Sequence, residues 1–150
     1  MQRINYSALN AKQKEAFNFQ KVSAVLADYG FTTIWLSSDW CGADFIAQHL
    51  DGLTFLKVQL KGRLTFAKKY CGLGLHVCFP DGDEWYLYPH DELLQQVLAE
   101  TPPIVGCTDS WKHDGIYHFP HLSDRLRVLL NPYRLEAEKA SGLPLQAEHE

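Results

Sequence analysis

Leu56 to Arg63 reads LKVQLKGR, and its alternation decides how the neighbouring chain folds. Strand side chains point to opposite faces with period two, so Leu56, Val58 and Leu60 share one face while Lys57, Gln59 and Lys61 share the other. Upstream, Ala43 to His49 alternates in the same way, and the Asp51-Gly52 pair between the two runs is a strong hairpin signal. With Asp51 and Gly52 as the loop, Leu50 faces Leu53 and Asp44 falls directly opposite Gln59. One face then collects Phe45, Ala47, Leu56, Val58 and Leu60, a surface fit for a core. The other brings Asp44, Gln59 and Lys61 together at the end away from the turn. An Asp–Lys pair beside an amide is the plain structural explanation of that cluster, and such pairs are common.

Working outward, Asn10 to about Tyr29 reads as a helix. Asn10 is its N-cap, Gln13 the return partner of a capping box, and Gly30 its stop. Phe19, Val22, Leu26 and Tyr29 form its apolar stripe, and Glu15, one turn before Phe19, is predicted on that inward stripe. A boundary carboxylate reaching solvent is the common case there; an inward one suits a metal or a lysine. Phe31 to Leu36 reads as a strand and SSDWCG as a turn. Leu73 to Phe79 and Glu84 to Tyr88 read as two strands around Pro80–Asp83. A second helix runs from His90 or Asp91 to about Glu100, with Leu93, Leu94, Val97 and Leu98 as its apolar side. A last one runs from Asp124 to Leu130, capped by Ser123. Between Ile104 and Phe119 only short extended pieces are expected. Helices on both sides of hairpin-joined strands imply an α/β sandwich on a mixed sheet rather than a doubly wound parallel one.

A chain of 150 residues with 46% hydrophobic content can bury one proper core, which predicts a single domain over residues 1–135 and a polar, flexible tail over 136–150. No apolar run is long enough to span a bilayer and the N-terminus lacks a signal-peptide core, so a cytoplasmic location is expected. Cys41, Cys71, Cys78 and Cys107 show no metal-binding or disulfide spacing, and they are expected to be reduced and mostly packing residues. The net charge of −4 hides an asymmetry: from Gly52 to Pro80 there is no Asp or Glu, yet Lys57, Lys61, Arg63, Lys68 and Lys69 all lie there. A solvated basic face and a surface for a polyanion explain that segment equally well.

Taken together, Glu15 on the first helix, GAD at Gly42 to Asp44, the hairpin, VQLK at Val58 to Lys61 and YLYP at Tyr86 to Pro89 resemble the PD-(D/E)xK nuclease superfamily. Restriction endonucleases, Holliday-junction resolvases and small bacterial homing endonucleases belong to it. The resemblance spans roughly Asn10 to Leu98. It implies a restriction-endonuclease-like core and metal-dependent endonuclease activity on double-stranded DNA, with site-specific cleavage in the homing-endonuclease manner as one form of it. Asp44 matches the metal-binding aspartate, Gln59 the (D/E) position, Lys61 the lysine, and Glu15 the acidic residue of the first helix. Gln59 departs from the pattern, because a neutral amide offers a cation one negative charge fewer.

The chemistry is consistent with that resemblance. Mg²⁺, with Mn²⁺ as a substitute, takes oxygen ligands such as Asp44, Glu15, Gln59 and the Leu60 carbonyl. Lys61 then serves the attacking water or the developing charge, while Lys57, Arg63, Lys68 and Lys69 hold flanking phosphates. Two cuts in a duplex favour a homo-oligomer, a dimer or tetramer. The alternative is a catalytically inactive relative that binds nucleic acid or protein through the same fold, and Gln59 favours it. A zinc site among His113, His118 and His121 fits no common spacing, and Trp111, Tyr117 and Phe119 are expected to pack in the core rather than stack on bases.

Overall fold

A computed structural model describes residues 1–106 and 108–136, so Cys107 and nearly all of the expected tail lie outside the described residues. The first helix, α1 (Ala11–Asp28), starts as its sequence dictates: Gln13 N–H donates to Asn10 Oδ1 at 2.9 Å, and Asn10 N–H donates to Gln13 Oε1 at 3.0 Å. The two reciprocal bonds satisfy amides that the first helical turn leaves without carbonyl partners. Val22 and Leu26 on α1 are fully buried, each contributing about 1.5–3 kcal/mol by leaving water. Tyr29 instead ends the helix 40% exposed.

Six strands follow in the spatial order β1 (Phe31–Trp40), β2 (Ala43–His49), β3 (Phe55–Leu60), β5 (Leu75–Asp81), β6 (Glu84–Pro89) and β8 (Arg134–Leu135). All neighbours are antiparallel except β3 and β5, so the sheet is mixed, as expected. Parallel neighbours require a crossover. Here residues 61–74 make it and contain Lys61, Arg63, Lys68 and Lys69.

The β2–β3 register is the one read from the sequence: Phe45 pairs with Val58, Ile46 with Lys57, Ala47 with Leu56 and Gln48 with Phe55. Its loop differs. His49 N–H donates to the Thr54 carbonyl at 2.9 Å, which leaves four residues, Leu50 to Leu53, outside the ladder rather than two. Asp51 is the cause. Its carboxylate accepts the Leu53 and Thr54 amides, both at 2.8 Å, and the Thr54 hydroxyl at 2.6 Å, opening the turn without changing the pairing.

The first hairpin also departs from expectation. The strand continues through Ser37–Trp40, and only Cys41 and Gly42 turn, with φ of 52° and 80°. Two positive φ values in a two-residue loop mark a type I′ turn. A Cβ on Gly42 would meet the Leu75 side chain at 2.9 Å, so the hairpin tip packs down on β5 at a distance that only glycine allows.

The sheet is covered on both sides. On one, α1 packs Val22 and Leu26 against Phe45, Ala47, Val58, Leu60 and Cys78. On the other, α2 (His90–Leu98), α3 (Asp124–Leu130) and the small pair β4 (Thr65–Ala67) and β7 (Ile116–His118) enclose Phe66, Val77, Phe79, Tyr88, Leu93 and Leu126. Trp111 and Phe119 belong to this second core, and Trp111 sits on a short π-helical turn, Ser110–Asp114, in place of the extended pieces expected there. Leu98 lies outside it, 45% exposed. Among the described residues no helix is long and apolar enough to cross a membrane.

Candidate active site

Strands β2 and β3 part company at Asp44. Regular pairing stops at Phe45–Val58, and the next amide of β3, that of Leu60, donates to Oδ2 of Asp44 at 2.7 Å instead of to a β2 carbonyl. The side chain thus takes over a backbone role and holds the fork open. Gln59 lies alongside, its Nε2 donating to the same Oδ2 at 2.7 Å and lying 3.5 Å from the Leu60 carbonyl oxygen.

A cleft of about 470 Å³ opens over this fork, lined by Asp39, Cys41, Asp44, Gln59, Lys61, Lys69 and Tyr70, among others. The sequence-derived trio of Asp44, Gln59 and Lys61 therefore shares one wall. Burial pushes the Asp44 carboxyl above the ordinary carboxylate range, and the charges of Glu15 and Asp39 push the same way, against the Leu60 amide and Lys61. Lys61 is half-buried and its Nζ lies 5.9 Å from the Tyr70 ring centre, while its backbone N–H donates to the Cys78 carbonyl at 2.8 Å.

Glu15 corrects the sequence reading. It is exposed on the first turns of α1 and does not line the cleft, although its charge is felt at Asp44. The buried stripe starts one turn later, because the helix reaches the sheet only at Asn18 and Phe19.

The basic residues also divide. Lys57 is a structural residue: its ammonium donates to the Leu73 carbonyl and lies 5.9 Å from the Trp40 ring centre, tying the hairpin tip to the crossover. Arg63, Lys68 and Lys69 are exposed. Lys61 and Arg63 flank His118, whose imidazole is held below its ordinary value by burial and then by those two positive charges. His118, in turn, shares a 2.8 Å hydrogen bond with Thr65 Oγ1.

Sequence reading missed Asp39, Cys41 and Tyr70 as residues of the cleft wall. For Asp39 a signal existed. Counting Cys41-Gly42 as a two-residue turn pairs Trp40 with Ala43, as observed, and brings Asp39 to the same end of the hairpin as Asp44, whose cleft it lines. Cys41 and Cys71 are exposed rather than packed, while burial at Cys78 pushes its thiol far up.

Cys71, His90 and Asp91 form a second cluster of potential ligands. Hydrogen bonds already account for it. The fully buried His90 accepts the Ala67 N–H on Nε2 at 3.1 Å, so its proton sits on Nδ1, 2.8 Å from Asp91 Oδ1. An ion on Nδ1 would drive that proton to Nε2, against another donor. Burial and then the Asp91 charge raise the Cys71 thiol above its ordinary value.

No protein-family model matches the chain, and no curated protein matches it. Among solved structures it is similar to a Holliday junction resolvase from Archaeoglobus fulgidus, at 16% identity and a TM-score of 0.37, over 47% of this chain and 74% of that one.

Proposed function

We propose that the protein is a metal-dependent endonuclease that hydrolyses phosphodiester bonds in double-stranded DNA. The observation that carries this reading is the Asp44 fork, a carboxylate lifted out of a β-ladder into a cleft beside an amide, a lysine and further basic residues.

The donors suit a hard divalent ion. Asp44 takes both of its hydrogen bonds on Oδ2, which leaves Oδ1 for another partner, and Gln59 and the Leu60 carbonyl add neutral oxygens. Asp44, Gln59 and Leu60 would hold Mg²⁺, or Mn²⁺ in its place. The chemistry such an ion supplies when bound is polarisation of a phosphoryl oxygen and a more acidic water. Lys61, which has no carboxylate within 4.0 Å among the described residues, would orient the attacking water and stabilise charge gathering on phosphorus. Arg63, Lys68 and Lys69 neutralise flanking phosphates. A symmetric homo-oligomer supplies the second cut, and the exposed apolar residues Ile34, Trp35 and Trp40 of the edge strand β1 are consistent with association.

Incubating plasmid DNA with the protein and Mg²⁺ or Mn²⁺ tests the reading. Nicked and linear products that disappear with chelator, with Asp44→Asn and with Lys61→Met are expected, while DNA affinity persists in the lysine variant. A folded protein that cuts neither duplex nor branched DNA with any divalent ion overturns it. One observation favours a second reading, a DNA-binding module without cleavage: position 59 carries a neutral amide, and its nitrogen donates to Asp44 Oδ2 at 2.7 Å. DNA binding with neither cleavage nor Mn²⁺ uptake is its signature.

A further inference from the structure

We infer that the cleft between α1 and the β5–β6 hairpin is a second phosphate subsite, which holds the backbone of the DNA strand where it continues beyond the Asp44 cleft. The inference rests on the nuclease reading for its ligand and gives that ligand a surface the resemblance does not include.

Charge points to it first. Residues 1–27 hold Arg3, Lys12, Lys14 and Lys21 against the single acid Glu15, in a chain whose net charge is −4. None of those four cations meets a carboxylate within 4.0 Å among the described residues. Two of them lie over aromatic rings instead: Lys14 Nζ is 5.4 Å from the Tyr6 ring centre and Lys21 Nζ 5.3 Å from that of Phe17. A ring face attracts the charge but accepts little from the ammonium donors, which stay free for an anion.

The cleft beside them has a built wall. It measures about 610 Å³ and is lined by Tyr6, Phe17, Asn18, Lys21, Gly62 and Trp85, among others. Asn18 is only 9% exposed, and one N–H of its side-chain amide donates to the Tyr6 hydroxyl at 2.9 Å. Its second N–H has no partner among the described residues, and an amide donor withdrawn from water calls for one. Gly62 follows Lys61 directly, so it joins this cleft to the Asp44 cleft that Lys61 lines. A Cβ on Gly62 would meet nothing within 4 Å, which leaves the passage open to a strand. An ammonium and an amide N–H over bare backbone are donors of the kind that hold phosphate oxygens and read no base. Asp83 of the hairpin also lines the cleft, so the phosphate belongs on the α1 wall with Lys21.

The test follows labelled duplex DNA by fluorescence anisotropy at several salt concentrations, with Mg²⁺, in the Lys61→Met background that binds without cutting. Lys21→Met should reduce the slope of log affinity against log salt by about one. Asn18→Ala should weaken binding about tenfold at every salt concentration and leave the slope unchanged. Gly62→Ala should keep its melting temperature, since the methyl meets nothing in the protein, yet lose on the order of tenfold in affinity because it stands in the path of the strand. Asp83→Asn should bind about threefold more tightly. Circular dichroism checks the fold of each variant, and the Lys21 and Gly62 variants decide the matter should the Asn18 variant fold poorly. Unchanged affinity and slope in folded Lys21→Met and Gly62→Ala, alongside reduced slopes in Arg63→Gln and Lys69→Met, overturn the inference and leave the nuclease reading standing. No DNA binding by wild type or by this background removes both.

Discussion

Gln59 donates its side-chain amide to Asp44 at 2.7 Å, and the same nitrogen lies 3.5 Å from the Leu60 carbonyl. An NH₂ group therefore stands between two oxygens where a carboxylate at position 59 would need a cation for company. Rotating the amide end for end turns its oxygen to the same place, so the glutamine can serve both an ion-free and an ion-bound fork.

That geometry predicts the behaviour of Gln59→Glu. The metal-free variant should melt lower than wild type, because a carboxylate would replace the amide that donates to Asp44 and stand against its negative charge. Its Mn²⁺ affinity should rise by on the order of tenfold, measured by calorimetry. Equal affinities would mean that position 59 does not face the ion.

Lysines close in sequence should separate by function. Lys57→Met should lower the melting temperature, because the Leu73 carbonyl and the hairpin tip lose their tie, while the salt dependence of DNA binding stays as in wild type. Arg63→Gln and Lys69→Met should leave stability alone and each reduce the slope of log affinity against log salt by about one. Fluorescence anisotropy at several salt concentrations distinguishes the two patterns.

His90 is expected to be a stability residue with no part in metal uptake. Its replacement by leucine leaves the Ala67 N–H buried without an acceptor, a cost of about 1–3 kcal/mol, and urea unfolding should show it. Mn²⁺ affinity should not change.

Acid should loosen the loop after β2 and the start of α2. Asp51 is held below the ordinary carboxylate range by its bonds from Thr54 and Leu53, and Asp91 by its bond to His90 and then by the Gly72 amide. A depressed carboxylate contributes stability that is complete above its unfolded value and lost as pH falls through its folded one. The acid limb of the stability curve should therefore flatten in Asp91→Asn and in Asp51→Ala, as followed by circular dichroism during acid titration.

Local rules settled much of this protein. The capping box of Asn10 and Gln13, the alternation of Leu56 to Lys61 and the pairing of Phe45 with Val58 all follow from helix-end chemistry and the two-residue period of a strand, which neighbours in the chain impose on one another. So does the placing of Asp44 beside Gln59, since register propagates along a ladder. Even the misjudged loop at Asp51 left that register intact. What packing decided lies where the ladder breaks or the chain returns from a distance. Glu15 stays in water because α1 meets the sheet one turn later, Lys57 is turned inward by a carbonyl sixteen residues away, and Asp39 lines the Asp44 cleft where β1 shifts register before Trp40. Periodicity carries no record of such contacts. A bulge, a fork and a half-buried lysine each depend on a tertiary contact whose partner only the folded chain supplies.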